Sequence, residues 1–395
     1  METEILKKKE IELAPKLRFR EFGESWNKSK LGILADIKRG AGSQYIKYVN
    51  NSSEGIRLIR IGDFLGSEPV YVDKTKDIDR FQLRKGDILI AGTGATAGIT
   101  FLVPDKFVGL AYSYNAPRIT VKKADERYVI YYLKSGFILR QQQKLFTGNA
   151  QPFLDTKAIG SFRLCIPTLP EQQKIATFLS EVDKKIEQLT RKKELLETYK
   201  KGVMQQLFSQ QLRFKDEDGN DFPKWEVKRL GELFIINAGG DIIKERVNKV
   251  KFDIFKYPIY ANSEKNKGLY GFSNTYKVDF DCVTITGRGA LGIAHARFEK
   301  FYPIVRLLIL KPKRESDMIF FENHINGLNI YCESTGVPQL TAPQISTYKI
   351  SYPCIQEQQK IADFLSRIDI KIEAVSQQIT KTKSFKKGLL QQMFV

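Results

Sequence analysis

Two long stretches of the chain repeat the same pattern of apolar and polar positions. Residues 171–209 contain no proline, and apolar residues recur in them every seven positions. Residues 357–395 keep the same phase, and the two stretches match at 19 of 39 positions when they are aligned without a gap. Such a period places one apolar seam along a long helix and polar residues on its other faces. The pattern therefore predicts two long helices that arose by duplication. The seam consists of Ile175, Val182, Leu189, Leu196 and Val203 in the first stretch and of Ile361, Ile368, Val375 and Leu389 in the second.

Two arrangements of these helices fit the pattern. Each helix can pack on its own neighbouring domain, or the two helices can pair with each other. Two seam-bearing copies in one chain favour antiparallel pairing. A helix of 38 residues would form a rod of about 57 Å, because each residue adds about 1.5 Å. A rod of that length could hold two domains at a fixed separation.

The segments that precede the helices have a different pattern, and we call them lobe 1 (residues 1–165) and lobe 2 (residues 212–354). Short apolar runs at 86–91, 282–286 and 304–310 are bounded by glycine, proline and aspartate, which is typical of strands in a mixed fold. The lobes also resemble each other weakly. The shared features are Leu-Arg-Phe at 17–19 and 212–214, a following Trp26 or Trp225, and glycine-rich loops at 92–99 and 287–293.

The predicted fold class is α+β, with two pseudo-repeated mixed α/β domains separated by two long antiparallel coiled-coil helices. We expect the first domain, with an N-terminal helical segment, at residues 1–165 and a central helix at 166–211. The second domain is expected at 212–354 and the C-terminal helix at 355–395.

The charge of the chain points to a polyanionic partner. Lysine and arginine number 64 against 45 aspartates and glutamates, for a formal net charge of +19. The helical stretches 171–209 and 357–395 carry only +2 and +3 of this, so +14 belongs to the rest of the chain. The four cysteines have no CxxC spacing, no apolar run is long enough to span a bilayer, and the N-terminus does not resemble a signal peptide. We therefore expect a cytoplasmic protein that is not a membrane protein.

Motifs for catalysis are missing from the sequence. There is no GxxxxGK[ST] phosphate loop, no adenine-methyltransferase motif of the DPPY type and no HExxH. Residues 92–98 have GxGxxxG spacing rather than that of a dinucleotide loop, and turn glycines are the favoured interpretation. Carboxylates such as Asp63, Asp87 and Asp279 could suggest a nuclease, but Asp87 lies in a Lys-Gly-Asp turn, where aspartate is common. We expect no catalytic site and no cofactor in this chain.

These features together resemble the DNA-specificity subunit of type I restriction-modification systems. The most specific motif is the paired Glu-Gln-Gln-Lys-Ile-Ala at residues 171–176 and 357–362. Further matching motifs lie at residues 58–63, 84–87 and 147–152 in lobe 1 and at 257–262, 286–292 and 335–340 in lobe 2.

The resemblance implies a mechanism. Each lobe would be a target recognition domain that reads one half of a split, asymmetric target in double-stranded DNA, and the helix pair would fix the unread gap. Two modification subunits carrying S-adenosylmethionine would methylate one adenine in each half. Restriction subunits would add translocation and cleavage that depend on ATP and Mg. The chain itself would be non-catalytic.

Individual DNA-binding residues are predicted from their loops and charges. Glycine-rich loops allow close approach of backbone to DNA, and asparagine, glutamine and arginine can pair with base edges. An exposed structural role remains an alternative for each residue, and a solvated surface is an alternative for each basic cluster. The candidates are Arg57, Arg60, Thr93, Thr96, Lys144, Asn149, Gln151, Arg246, Tyr260, Arg288, Arg297 and Gln339.

Two other classes of function remain as alternatives. One is a complete enzyme that methylates or cuts DNA unaided. The other is a coiled-coil scaffold whose basic lobes bind nucleic acid without sequence preference. The sequence gives neither the DNA target nor the length of the gap.

Overall fold

A computed structural model of the chain describes residues 14–146, 152–328, 330 and 339–395. The chain forms two compact units, unit 1 with residues Met1–Leu189 and Gln378–Val395, and unit 2 with residues Thr190–Gln377. Each unit therefore contains one lobe together with parts of both long helices. The predicted N-terminal helical segment falls mainly on residues 1–13, outside the described residues, and the division into four domains stays a prediction.

Lobe 1 is built from short strands and short helices. Its strands are β1 (Asn27–Lys30), β2 (Ala35–Lys38), β3 (Tyr48–Val49), β4 (Ile56–Ile59), β5 (Val70–Val72), β6 (Ile88–Ile90), β7 (Thr100–Leu102), β8 (Ala111–Tyr112), β9 (Arg118–Val121) and β10 (Arg163–Ile166). Its helices are α1 (Leu31–Leu34), α2 (Glu126–Leu133), α3 (Gly136–Phe146) and α4 (Thr156–Gly160), and the long helix α5 (Leu169–Phe208) follows.

Lobe 2 repeats this succession, except that its described residues contain no counterpart of α3. Its helices are α6 (Leu230–Leu233), α7 (Met318–Asn326) and α8 (Ala342–Ser346), and the long helix α9 (Ile355–Gln392) follows. Its strands are β11 (Glu226–Arg229), β12 (Phe234–Ala238), β13 (Val247–Asn248), β14 (Tyr257–Tyr260), β15 (Leu269–Ser273), β16 (Cys282–Ile285), β17 (Ala294–Arg297), β18 (Tyr302–Pro303), β19 (Leu308–Pro312) and β20 (Lys349–Tyr352).

The sheets have the same strand order in both lobes. The main sheet is antiparallel, with the order β2-β9-β6-β7 in lobe 1 and β12-β19-β16-β17 in lobe 2. A second sheet has the order β3-β5-β4-β8 or β13-β15-β14-β18, and its last pair is parallel in both lobes. A two-stranded sheet, β1-β10 or β11-β20, closes each lobe beside its long helix. The expected α+β fold with two pseudo-repeated domains is confirmed.

The two long helices were predicted at 171–209 and 357–395, and α5 and α9 confirm both. In unit 1, Ile175 and Leu179 of α5 share one apolar core with Leu389 of α9 and with Met393, which follows the last residue of α9. In unit 2, Val203 and Leu207 of α5 share a core with Ile361 and Leu365 of α9. The beginning of each helix therefore packs beside the end of the other, which is the antiparallel arrangement.

Repeated ion pairs accompany this packing. In unit 2, Lys200 Nζ of α5 lies 2.7 Å from Asp369 Oδ1 of α9. In unit 1, Lys386 of α9 bonds Asp183 of α5. Each partner in one pair is separated by 186 residues from its counterpart in the other, the same offset that aligns the two helical stretches.

The Glu-Gln-Gln motif forms a buried joint between each long helix and its lobe, which we call the EQQ joint. In lobe 1, buried Glu171 accepts two hydrogen bonds from Arg18, at 2.7 and 2.8 Å. Gln172 accepts from the backbone N–H of Asp125, the N-cap of α2, and donates to the carbonyl of Pro167, so its amide is satisfied at both ends.

Lobe 2 forms the same joint with one additional bond. Buried Glu357 accepts from Arg213 at 3.1 and 2.7 Å and also from Trp225 Nε1 at 3.0 Å. Gln358 accepts from the backbone N–H of Asp317, the N-cap of α7, and donates to the carbonyl of Pro353. The repeated motifs at Leu-Arg-Phe and Glu-Gln-Gln are therefore two sides of one contact.

The structure corrects one predicted strand. Residues 304–310 were expected to form a single strand, but β19 begins only at Leu308. Val305 and Arg306 have φ angles of 52° and 59°, which are left-handed backbone conformations that a strand cannot contain. Residues 304–307 therefore form a turn, although their composition is typical of a strand. Among the helices that the structure describes, none is both long and apolar enough to cross a membrane.

Candidate nucleic-acid interface

Three loops of lobe 1 meet at the ends of β2, β6 and β8. They are residues 39–44, 92–98 and 113–116. The N–H of Tyr114 donates to the carbonyl of Ala41 at 2.9 Å, and the N–H of Gly92 donates to the carbonyl of Asn115 at 2.9 Å. These loops, together with Arg60, surround a cleft of about 770 Å³, which we call the lobe 1 cleft.

The corresponding loops of lobe 2 repeat the first of these bonds and add a different one. They are residues 239–241, 287–292 and 304–307. The N–H of Val305 donates to the carbonyl of Gly240 at 2.9 Å, and the N–H of Arg306 donates to the carbonyl of Gly239 at 3.1 Å. The first of these loops and Arg306 line a smaller cleft of about 400 Å³, the lobe 2 cleft, together with Gln339 and the residues that follow it.

A glycine allows the close backbone contact in each cleft. A Cβ atom on Gly40 would lie 2.1 Å from the carbonyl oxygen of Tyr112, and one on Gly239 would lie 2.9 Å from the carbonyl carbon of Pro303. Both distances are shorter than real contacts allow, so larger residues at these positions would push the loops apart.

Three of the predicted residues of lobe 1 line its cleft together. Arg60, Thr93 and Thr96 all border it. Thr93 also forms a backbone bridge with Phe153, which connects the glycine-rich loop to the segment that follows residue 151. The glycine-rich loop turns at Gly94 and Gly98, with φ angles of 78° and 89°, and no helix begins there. The interpretation of these residues as turn glycines is confirmed.

Arg57 and Arg60 both contact the same carboxylate. Arg57 Nη2 donates to Asp63 Oδ1 at 2.7 Å, and the backbone N–H of Arg60 donates to Asp63 Oδ2 at 2.8 Å. The Asp63 side chain is fully buried, so Arg57 neutralises a carboxylate that would be costly to leave unpaired. Arg60 additionally donates to the carbonyl of Glu68 at 2.7 Å. Asp63 therefore acts as a structural ion-pair partner here.

In lobe 2, Arg288 and Gln339 are bonded to each other. Arg288 donates from Nε and Nη2 to Gln339 Oε1, at 3.1 and 2.7 Å, and their backbones form a bridge. The two residues were predicted separately, and the structure brings them together at the rim of the lobe 2 cleft. This contact is the counterpart of the bridge between Thr93 and Phe153 in lobe 1.

Tyr260 and Arg297 form an internal stack. The Arg297 guanidinium lies 3.5 Å from the Tyr260 ring centroid, is 4% exposed, and donates to Thr284 Oγ1 and to the carbonyl of Lys267. Tyr260 donates to Glu299 Oε1 at 2.6 Å, and burial together with this bond raises the pKa of Tyr260 to about 12. Arg297 therefore has its donors engaged within lobe 2, and a direct contact with DNA stays a prediction.

The remaining candidates lie apart from the clefts or outside the described residues. Lys144 is exposed on α3, and Arg246 is exposed in the turn before β13. Asn149 and Gln151 lie outside the described residues.

Three residues that hold the loops beside the clefts or line a cleft are not among the predicted candidates. Arg39 lies 4.2 Å from the Tyr114 ring centroid and 5.1 Å from that of Phe153, so it braces the 113–116 turn. Asn262 donates to the carbonyl of Val305 and accepts from the N–H of Gly287 at 2.7 Å, which ties two loops together. Arg306 lies in the run 304–310, which was predicted to be a strand. Asn262 ends the matching motif at 257–262 and Arg39 belongs to the basic pair Lys38-Arg39, so both had a signal in the sequence, whereas nothing local indicated Arg306.

The clefts offer hydrogen-bonding groups and positive charge rather than reactive groups. Among the described residues, no group of three or more His, Cys, Asp or Glu side chains is arranged to hold a metal ion. Arginine, asparagine, glutamine and threonine on exposed loops are the side chains that contact phosphates and base edges. The geometry suits recognition of a nucleic acid.

Comparison with known proteins identifies relatives of both lobes. The family model described as the type I restriction modification DNA specificity domain matches twice, at residues 23–198 and 223–383. A type I specificity subunit from Mycoplasma pneumoniae is 26% identical over 341 residues, covering 84% of this chain and 86% of that protein. The specificity subunit of a type I restriction enzyme from Methanocaldococcus jannaschii is 25% identical over 421 residues, covering 95% of this chain and 94% of that protein.

Solved structures share the fold. The type I restriction-modification S subunit from M. genitalium superposes with a TM-score of 0.62 at 18% identity, covering 97% of this chain and 99% of that one. A chain from a structure of complex assembly in a type I R-M system superposes with a TM-score of 0.57 at 16% identity, covering 92% and 96%. At these identities, the superpositions support the fold alone.

Proposed function

We propose, from the premise that this chain belongs to the type I restriction-modification DNA specificity family, that its two lobes each read one half of a split target in double-stranded DNA. Members of this family are specificity subunits, and catalysis lies in partner chains. The observation that carries the proposal is that one fold occurs twice, with the same sheet order and a shared bond between the turn and the loop after β2 or β12, while the side chains at the cleft of each lobe differ. Two similar scaffolds with different cleft residues suit two different half-sites.

The helix pair would set the gap between the half-sites. The EQQ joints connect each lobe to the start of a long helix through buried, fully bonded side chains. A connection of this kind resists bending, so the length of the helices would be transmitted to the spacing of the lobes. Half-site spacing is then a geometric property of the protein.

The partners and cofactors follow from the family. Two modification subunits with S-adenosylmethionine would methylate one adenine in each half-site, and restriction subunits would use ATP and Mg to translocate and cleave DNA. The excess positive charge outside the long helices would supply contacts with phosphates, so binding should weaken steeply as salt rises. Because these partners and the DNA are found there, we propose the cytoplasm as its place of action. The four domains would be residues 1–165, 166–211, 212–354 and 355–395.

The test is co-expression of the chain with its modification subunit in a host that lacks adenine methylation, followed by mapping of N6-methyladenine across the genome. We expect two short defined sequences around a fixed undefined gap, and replacement of one lobe should change only one of them. A short continuous motif would contradict independent reading by the lobes.

A second measurement separates this function from the scaffold alternative. The purified complex should bind its mapped target at least about 10³-fold more tightly than random DNA at the same salt concentration. Equal affinity for both DNAs, without methylation by a stable complex, would favour the scaffold instead.

A further inference from the structure

The turns at residues 113–116 and 304–307 are the same element in the two lobes. Each leads from the second sheet into the main sheet, between β8 and β9 or between β18 and β19. In lobe 1, the N–H of Ala116 donates to the carbonyl of Ser113 at 3.0 Å, and in lobe 2 the N–H of Leu307 donates to the carbonyl of Ile304 at 3.2 Å. Each turn also donates a backbone hydrogen bond to the loop after β2 or β12. Its position is therefore fixed both by its own internal bond and by the neighbouring loop.

The central residues of both turns are exposed, and the residues that follow them are buried. Tyr114 is 46% exposed and Val305 is 43% exposed, and Asn115 and Arg306 beside them are also exposed. Ala116 and Leu307, which follow, are fully or almost fully buried. Each turn therefore presents exposed side chains from a rigid base, with Tyr114 and Asn115 lining the lobe 1 cleft and Arg306 lining the lobe 2 cleft.

The lobe 2 turn is held in an unfavourable backbone conformation. Val305 is β-branched, and its φ of 52° is rare for such a residue. Hydrogen bonds from Asn262 and to Gly239 and Gly240 hold it there. Strain of this kind persists only where surrounding structure enforces it, and it is found most often at functional sites.

Arg306 differs from the other arginines at this site. Arg288 is bonded to Gln339, and Arg297 is buried in its stack with Tyr260. Within the described part of the chain, no hydrogen bond or ion pair engages the Arg306 guanidinium, although it lines the lobe 2 cleft. The Asn115 amide lines the lobe 1 cleft and is likewise without a side-chain partner among the described residues.

We propose that Asn115 and Arg306 are specificity-determining residues that read base edges in the two half-sites. An arginine fork pairs with the O6 and N7 atoms of guanine, and an asparagine amide pairs with the N6 and N7 atoms of adenine. The inference rests on the proposed function and adds to it the residue in each lobe that selects a base. It gives a physical reason why lobes with the same scaffold would select different sequences.

The test uses the complex with its modification subunits and maps methylation for the wild type, Arg306→Ala, Arg306→Lys and Asn115→Ala. We expect both Arg306 variants to lower selection of one base pair in one half by about 5- to 150-fold. Lysine keeps the charge but lacks the planar fork, so Arg306→Lys should also relax selection. Asn115→Ala should relax one position in the other half only.

Lys224→Ala is the matched control for loss of charge, because Lys224 is exposed in unit 2 away from the lobe 2 cleft. It should leave the methylated motif unchanged, and thermal melting of each complex verifies that the variants fold. If Arg306→Lys behaves like the wild type while Arg306→Ala weakens binding to all DNA equally, Arg306 is a phosphate contact and the inference is wrong. A split wild-type motif that no variant changes also counts only against this inference, whereas the absence of a split motif in the wild type counts against the proposed function.

Discussion

At the scale of single residues, equivalent positions in the two lobes use different side chains to receive the same partner. Just after α9, Phe394 lies against Tyr128 and Tyr132 in lobe 1, with ring centroids 5.5 and 5.1 Å apart. The end of α5 places Phe208 against Phe320 and His324 in lobe 2. Tyr132 satisfies its hydroxyl through the N–H of Cys165, whereas His324 Nδ1 is buried without a partner among the described residues. The histidine therefore makes the lobe 2 contact sensitive to pH.

We predict that unit 2 loses stability on mild acidification. Burial lowers the pKa of His324 to about 3 from an ordinary value of 6.5. Below pH 6.5 the unfolded chain binds a proton that the folded chain excludes, so stability is intact above this pH and is lost as pH falls toward 3. Between pH 7 and pH 5, the free energy of unfolding should fall by about 2 kcal/mol. Urea unfolding at several pH values measures this change in the free energy of unfolding.

A single fluorescent reporter isolates this unit. The chain has two tryptophans, so Trp225 alone reports on lobe 2 in a Trp26→Phe background. His324→Phe keeps an aromatic ring against Phe208 and removes the titrating group, so it should remove this part of the pH dependence. If the free energy of unfolding falls equally with pH in both proteins, other titratable groups cause the pH dependence.

Residue-level roles were the hardest to predict from the sequence. Thr93, Thr96 and Arg60 were selected on their loops and charges, and they do line one cleft. Arg297 was selected on the same basis, but its side chain is buried. The sequence could not indicate this, because it does not reveal that the Tyr260 ring lies over the Arg297 guanidinium. Arg306 was missed since Ile-Val-Arg-Leu has the composition of a strand, whereas the bonds to Gly239 and Gly240 and the bond from Asn262 to Val305 impose the turn.

At the scale of elements, the long helices were predictable because their signal is internal to them. The seam and the duplicated Glu-Gln-Gln motif recur in 171–209 and 357–395, so each copy supports the other. The strands of the lobes are two to five residues long, and their pairing depends on contacts distant in sequence. The EQQ joint lies between these two cases. Its motifs were visible in the sequence, but the sequence did not show that Arg18 bonds Glu171, which is 153 residues away.

We predict that Glu357→Gln destabilises unit 2 by about 3 kcal/mol, because it leaves Arg213 and its buried surroundings without the opposite charge. Glu171→Gln should act in the same way on unit 1, where Arg18 loses its partner. Denaturant unfolding of the full chain, with one tryptophan retained in each lobe in turn, assigns the loss to its unit.

Asp369→Asn provides the matched control for the EQQ joint. It also removes a carboxylate that bonds a cation, Lys200, but this pair is exposed, so the loss should be less than about 1 kcal/mol. Similar losses of unfolding free energy for Asp369→Asn and Glu357→Gln would mean that burial of the EQQ joint adds nothing to the stability of unit 2.

At the scale of the whole molecule, each unit is completed by both helices in the same manner. In unit 2, the N–H of Leu212 donates to the carbonyl of Gln206, a few residues earlier in the chain. In unit 1, the N–H of Leu17 donates to the carbonyl of Gln392, the residue equivalent to Gln206, at the far end of the chain. The two lobes therefore have equivalent attachments to a shared helix pair, as reading of two half-sites across one fixed gap would require.

We predict that lengthening both helices by seven residues, after Arg191 and after Gln377, lengthens the gap in the methylated motif. These positions are equivalent in the two helices and lie close to the boundary between the units, away from both EQQ joints. Seven residues preserve the phase of the apolar seam and add about 10.5 Å of helix, which corresponds to about three base pairs of DNA. Methylation mapping should show both half-site sequences unchanged around the longer gap.

An insertion in α5 alone is the control, since it puts the two seams out of register and should lower thermal stability and methylation together. If the doubly extended protein methylates the original motif with its original gap, the helices do not determine the spacing.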